Sequence, residues 1–323
     1  MAGRLALIGP HQRSALRPQP RSTVAAATRR PRAFRETQRV SHFVVLDPGN
    51  LSLIQDLGRS AFAAQGVARA GAADLGSHAL AQRLCGNSPH AAGVEVLLGG
   101  LRLRAERSCT IAVTGAPVDV RINGEPHGQN HALDVVAGDE ISLSRATSGM
   151  RVYVAFRGGI ETPTVFGSRS RDTLGGIGPE PLTVGDTLTI DNLAAEPAWF
   201  DVVAVRPPTD EIVITLAPGP HDDALDADGW NTLLHTVWQL DARSDRIGFR
   251  LAGSALPAPS SDLASFPVLA GCVQLPGNGL PVVLGPDCGV TGGYPVLGIV
   301  DQAALSALAQ ARPGAHIRMR RSH

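Results

Sequence analysis

From His42 onward the chain alternates short apolar runs with breakers. HFVVLD, LSLIQD, VEVLLGG, LRLRAE, CTIAVTG, VDVRING, HALDVVAGDEISLSRA, RVYVAFRGG, DTLTI, EIVITLAPG, RIGFRLAG, GCVQLP and PVVLG are rich in Val, Ile and Leu, and Gly, Pro, Asn or Asp bounds each of them. Runs punctuated this way predict strands, and their regular spacing predicts a sandwich or barrel. Residues 73–86, 228–239 and 301–311 depart from the pattern and read as helices. The first opens at Asp74, a good N-cap, and closes at Gly86, a good C-terminal breaker. Strands do not alternate with long helices and no tandem repeat is present, so a doubly wound α/β fold is disfavoured. At 323 residues the chain suits two packed subdomains. The expectation is a mainly β protein with a barrel and a few short helices, its subdomains spanning 43–150 and 151–323.

Residues 1–42 stand apart. The first 40 hold nine Arg against one acid, Glu36, and prolines interrupt every apolar stretch. Such a segment buries too little apolar surface to offset its ordering entropy. A targeting segment, a disordered arm and an upstream start codon all fit, the last two together being favoured.

Charge and composition then remove function classes. Formal net charge is zero and charged residues are 18%, unlike the basic stripe that neutralises nucleic-acid phosphates. No run approaches the roughly 18 apolar residues of a membrane helix, and a cytoplasmic protein is expected. Cys85, Cys109, Cys272 and Cys288 form no C-x-x-C pair, which favours reduced, buried thiols over a disulfide framework or zinc knuckle. All 29 basic residues are arginine. The chain therefore supplies no Walker-A lysine, no Schiff base and no attachment point for biotin.

The common hydrolase, metalloprotease and nucleotide-binding signatures are missing too. His127 and His131 stand four apart, but the Gly, Pro and Asn around them mark a hairpin rather than a metal-binding helix face, and no metal site is expected. His221, Asp222 and Asp223 could perform acid–base work, but capping or a solvated loop is favoured. Three polar clusters remain. In LIQDLGRS, Gln55, Asp56 and Arg59 put an amide, a carboxylate and a guanidinium in one loop; the plain alternative is an Asp–Arg pair that holds the turn. In YVAFRGGIETPTVFGSRSRDTLGG, Gly158 and Gly159 free backbone N–H groups while Ser168 and Arg169 offer donors for a carboxylate or carbamoyl oxygen. A bulge and turn is the alternative there. In SDRIGFRLAG, alternation puts Arg246 and Arg250 on one face, lining a groove or meeting solvent. Arg59→Ala and Arg169→Ala are expected to abolish activity without unfolding the protein.

Read in order, VLDPGNLSLIQDLGR, GVARAGAADLGSHALAQRLCGN, VEVLLGGLRL, VAFRGGIETPTVFGSRS, LAPGPHDD, WQLDARSDRIGFRLAG, GCVQLPGNGLPVVLGPDCGVTGGYP and LAQARPG resemble the KipA-like family. It is also described as allophanate hydrolase subunit 2 or the carboxyltransferase subdomain of urea carboxylase, and includes the C-subunit of 5-oxoprolinase. The resemblance implies a cyclophilin-like β-barrel that works with a KipI-like (subunit 1) protein and, in 5-oxoprolinase, a third LamB/YcsF-like subunit. It implies ATP-dependent opening of 5-oxoproline to glutamate. The alternatives are carboxyl transfer to urea or a similar amide from biotin carried by another chain, and non-catalytic regulation of a KipI-like kinase inhibitor. It also directs attention to 287–295, where the family usually has Asp-x-Gln-Thr-Thr-Gly-Gly-Tyr-Pro. Asp287 and Thr291–Pro295 match, while Gly289 and Val290 replace Gln and Thr. The expected catalytic residues are Gln55, Asp56, Arg59, Asp287 and Thr291. The expected substrate-binding residues are Gly158, Gly159, Ser168, Arg169, Arg246, Gln274, Gly292, Gly293 and Tyr294.

Overall fold

Alternation within each run decides which side chains meet. The computed structural model describes residues 41–191, 203–205, 207–257 and 263–322; the expectation for the N-terminal extension lies outside them, apart from the two residues that open the first strand. Twelve strands form the first body: β1 (Ser41–Pro48), β2 (Ser52–Gln55), β3 (Gly93–Leu97), β4 (Leu101–Ala105), β5 (Cys109–Gly115), β6 (Val120–Ile122), β7 (Glu125–His127), β8 (Ala132–Val135), β9 (Glu140–Leu143), β10 (Arg151–Phe156), β11 (Ile160–Glu161) and β12 (Thr187–Ile190). One sheet runs β11-β12-β1-β4-β9-β6-β7, the other β2-β3-β10-β5-β8. In β4, Leu101, Leu103 and Ala105 are buried while Arg102 and Arg104 are exposed. Between the sheets Phe43, Val94, Ile111, Val154 and Phe156 share one core, each such side chain contributing roughly 1.5–3 kcal/mol on burial.

β10 is buried along its whole length because both faces are covered. Val152, Val154 and Phe156 enter the inter-sheet core. Tyr153 and Ala155 pack with Leu80 and Leu84 of helix α1 (Leu75–Leu84). Asp74 caps α1 by accepting from Ser77 N, and Gly86, at φ +73°, follows its last turn. His78 is buried on this helix, its Nε2 3.3 Å from Pro89 O. Burial pulls its pKa below the usual imidazole value and outweighs the Pro89 carbonyl, Asp56 and Glu95. The unfolded chain therefore takes up this proton first as pH falls through about 6.5. Stability should drop between pH 7 and 5, by at most about 1.4 kcal/mol per pH unit from this group. Urea midpoints at the two pH values should show a smaller drop in His78→Gln.

The second body is a barrel. Its strands are β13 (Glu211–Pro218), β14 (Trp238–Leu240), β15 (Gly248–Ala252), β17 (Cys272–Gln274), β18 (Val282–Leu284), β20 (Val296–Ile299) and β21 (His316–Arg321), closed in the order β13-β20-β17-β18-β15-β14-β21. β16 (Phe266–Pro267) and β19 (Thr291–Gly292) form a separate ribbon. Trp238, Ile214, Phe249, Val273, Leu297 and Ile317 fill the interior with Leu308 of α3 (Gln302–Gln310); α2 (Ala227–His235) adds Leu233. Among the described residues these three are the α-helices, and none is long and apolar enough to cross a membrane. The thiols are free, and burial pushes Cys109 up to about 11 and Cys288 up to about 12.

Three elements differ from the sequence expectation. The division at 150/151 falls inside the first body, because β10 pairs with β3 and β5 and β12 pairs with β1; the sheets change over between β12 and β13. The helix expected to 239 ends at His235, since Trp238 and Gln239 pair with β21. The apolar face of TVWQL suits either period, and the sheet partner decides. Finally, HIRMRR forms β21, a strand absent from the expected set, by lying parallel to β13, and the Thr291–Pro295 turn leads into β20.

Candidate functional site

Two of the sequence clusters meet. β2 ends at Gln55, and the turn after it delivers Asp56 to the loop 165–171. The Asp56 carboxylate accepts from Ser168 Oγ (2.6 Å), Arg169 N (2.7 Å), Gly58 N (2.8 Å) and Ser170 Oγ. Burial raises its pKa, but these four hydrogen bonds prevail and hold it below the usual carboxylate value. Arg59, 3% exposed, donates from Nε to Val165 O (3.2 Å) and from Nη2 to Ser170 O. Gln55, fully buried, donates from Nε2 to Arg171 O (2.9 Å). Every bond in this clamp crosses more than 100 residues of chain or closes the Asp56–Gly58 turn. Two buried polar atoms in it have no hydrogen-bond partner among the described residues, the acceptor Gln55 Oε1 and the donor Arg59 Nη1. Buried polar groups are normally paired, so this donor–acceptor combination stands out.

The second assembly joins the two bodies. Arg246 lies in the turn before β15 and is buried among acids. Its Nε and Nη2 donate to Asp287 (2.8 and 2.9 Å), Nη1 to Glu95 Oε1 (2.6 Å) and Nη2 also to Gly71 O (2.6 Å). Glu95, on β3, also lies 3.4 Å from Arg151 Nε and accepts from Tyr153 Oη (2.8 Å) and Ala73 N (2.8 Å). Burial pushes Glu95 up, but Arg246 and Arg151 outweigh it and hold it below its usual value. Asp287, fully buried, also accepts from Thr173 N (2.9 Å) and Oγ1 (2.7 Å). Asp287 thus ties the 172–178 turn, which borders Arg59 through Gly178, to the start of the 288–295 loop.

In that loop Thr291 and Tyr294 are exposed, Tyr294 at 49%. Gly292 packs so closely on Gln274 that a Cβ would lie 2.5 Å from Gln274 Nε2. Gln274 Nε2 in turn lies 3.5 Å from Tyr294 O. Val290, which replaces the family's Thr, accepts through its carbonyl from Val268 N (3.0 Å).

The structure separates or reassigns other expected residues. Gly158 N donates to Asn87 Oδ1 and Gly159 N to Phe156 O, so both amides are occupied within the fold. Gly158 serves a close approach instead, since a Cβ there would lie 1.8 Å from Asp191 O. Arg246 and Arg250 do not share a face, because β15 starts only at Gly248: Arg246 is buried and Arg250 exposed. Arg59 sits in a loop yet is buried with two backbone acceptors, so its loss also removes structure. Arg169, half-buried, donates from Nε to Thr162 O (3.0 Å). His127 ends an exposed strand and His131 Nδ1 lies 3.1 Å from Gln129 O. Among the described residues no group of three His, Cys, Asp or Glu is arranged for a metal. Sequence reasoning missed Glu95, Tyr153 and Thr173. A charge inside VEVLLGG, at a position the β3–β10 register sets opposite Tyr153, was the available signal.

Comparison with known proteins finds relatives along most of the chain. The model of the carboxyltransferase domain, subdomain A and B, matches residues 65–321. The C-subunit of 5-oxoprolinase from Escherichia coli K12 is 33% identical over 275 residues, covering 82% of this chain and 86% of that protein. The urea amidolyase of Lachancea kluyveri is 27% identical over 303 residues, covering 84% of this chain but 16% of its own length. Among solved structures, TTHA0988 superposes with a TM-score of 0.80 at 32% identity, over 88% of this chain. This chain spans 56% of that one.

Proposed function

This chain belongs to the carboxyltransferase family of subdomains A and B, and from that premise we propose that it is a subunit of a heteromeric ATP-dependent amide hydrolase of the 5-oxoprolinase type. The reaction is 5-oxo-L-proline, ATP and water to L-glutamate, ADP and phosphate. One observation carries the reading: the C-subunits of 5-oxoprolinase from Escherichia coli and Haemophilus influenzae are 33% and 31% identical to this chain, whereas the urea amidolyase of Lachancea kluyveri is 27% identical.

The clamp supports it chemically. A lactam presents one carbonyl acceptor and one N–H donor side by side. Arg59 Nη1 donates to the carbonyl oxygen, where charge develops as the ring opens, and Gln55 Oε1 accepts from the ring nitrogen. Gln55 Nε2 donates to Arg171 O and Gly178 borders the Arg59 guanidinium, and since both atoms are buried we propose that the 171–178 segment moves to admit substrate. Asp56 and Asp287, with their oxygens fully occupied, act as positioning residues. Thr291 and Tyr294 contribute side chains from the neighbouring loop. Among the described residues the Thr291–Pro295 turn runs into β20 rather than a helix N-terminus, and the chain has no lysine for a Walker-A contact. We therefore assign ATP chemistry to partner subunits, a KipI-like and a LamB/YcsF-like protein.

Similarity to urea amidolyase favours a second reading, carboxyl transfer to a small amide from biotin borne by another chain. Mixing the full chain with both partner subunits should give 5-oxoproline-dependent ATP hydrolysis and glutamate release only when all are present, unaffected by avidin. A complex inert toward 5-oxoproline but turning over urea in an avidin-sensitive way would replace the first reading with the second. A stable complex inert toward both would favour the regulatory role.

A further inference from the structure

The His221-Asp222-Asp223 trio is split by the fold. Asp222 pairs with Arg321 (2.7 Å), whose guanidinium lies 4.5 Å from the centroid of the Trp230 ring. Asp223 is exposed, and the helix cap belongs to Asp226. His221 instead packs beside β20, at the residue that follows the Thr291–Pro295 loop. Its N donates to Val296 O (3.1 Å), and Val296 N donates to its Nδ1 (3.3 Å). The imidazole lies against Phe266 with ring centroids 4.7 Å apart, and Phe266 is the register partner of Gly292. One backbone bond and two ring contacts thus hold a half-buried imidazole beside this loop.

The tautomer follows from the donor. Because Val296 N–H points at Nδ1, the neutral ring carries its proton on Nε2. Nε2–H has no protein acceptor among the described residues. We propose that His221 is a ligand-binding residue: its Nε2–H donates to a carbonyl or carboxylate oxygen of the small amide received at the Thr291–Pro295 loop. Phe266 fixes the ring plane and Val296 the proton, so the donor is set before the ligand arrives. This rests on reading Thr291–Pro295 as a ligand loop, and not on which amide occupies it.

Two substitutions separate binding from mere pinning of β20. In His221→Asn the side-chain oxygen reaches the Nδ1 position and can still accept from Val296 N, but no donor reaches the Nε2 position. In His221→Gln the amide nitrogen reaches the Nε2 position while the acceptor for Val296 N is lost. The full-length protein is titrated with 5-oxoproline and, separately, with urea, following the Gly292 and Tyr294 amide resonances. Wild type should saturate with one of the two probes. His221→Gln should bind within about threefold of wild type and His221→Asn at least about tenfold more weakly, the scale of one lost hydrogen bond. The opposite order, or no saturable shift with either probe, overturns the assignment. Saturation by urea but not by 5-oxoproline leaves His221 in place and counts against the 5-oxoprolinase reading alone.

Discussion

Replacing Arg246 by methionine is expected to destabilise the protein by about 3–5 kcal/mol, the usual cost of removing one partner from a buried ion-pair cluster. The two carboxylates it joins, Glu95 and Asp287, are almost completely buried. Methionine fills much of the volume and leaves both charges without their cation. A pH series distinguishes this from lost packing. In the wild type Glu95 is held below its usual value. Its stabilisation is therefore present above about pH 4.5 and lost as pH falls through the lower folded pKa. Without Arg246, burial acts on Glu95 with less opposition and its folded pKa rises. The variant then gains stability relative to wild type as pH falls from 7 toward 5. Thermal melts across that range should converge, and Glu95→Gln in the Arg246→Met background should recover part of the loss. Parallel melting curves at all pH values would assign the effect to packing alone.

Asp56→Ala should have the second large effect, on both the clamp and activity. It strips the acceptor from two buried hydroxyls and two backbone N–H groups, each costing about 1–3 kcal/mol if left buried and unpaired. The 165–171 loop then loses its anchor, and Arg59 loses the fixed carbonyls of Val165 and Ser170 that aim it. Amide exchange at Gly58 and Arg169 should accelerate, and turnover by the reconstituted complex should fall about 100-fold, the scale of an ångström-level misplacement. Asp56→Asn keeps an acceptor oxygen but turns an NH₂ toward one of the N–H donors, so its loss should be intermediate. Wild-type exchange rates in Asp56→Ala would show that the loop holds without the clamp.

Much of the fold was legible in the residue pattern. The β4 alternation, the Asp74 cap and the breakers between runs act within a few residues, and those elements formed where local chemistry placed them. β21 was missed because HIRMRR shows only two apolar residues, Ile317 and Met319, between arginines. It becomes a barrel strand by lying parallel to β13 with both residues buried. The clusters around Asp56 and Arg59 were visible as polar segments, but their partner was not. Ser168 lies 112 residues from Asp56, and Glu95 lies 151 from Arg246.

By itself the sequence determined most of the runs that become strands, the Asp74 cap, what chemistry a chain without lysine is denied, and the family to which the ordered motifs belong. These depend on periods of 2 and 3.6 residues, on side-chain types and on motif order. Tertiary structure alone decided that the Asp56 and Asp287 carboxylates accept from distant loops, that the Gly158 and Gly159 amides are paired within the fold, and that His221 packs against Phe266 and Val296. Those outcomes depend on which donors meet which acceptors once distant strands close the barrel and the sheets. No local pattern records that pairing.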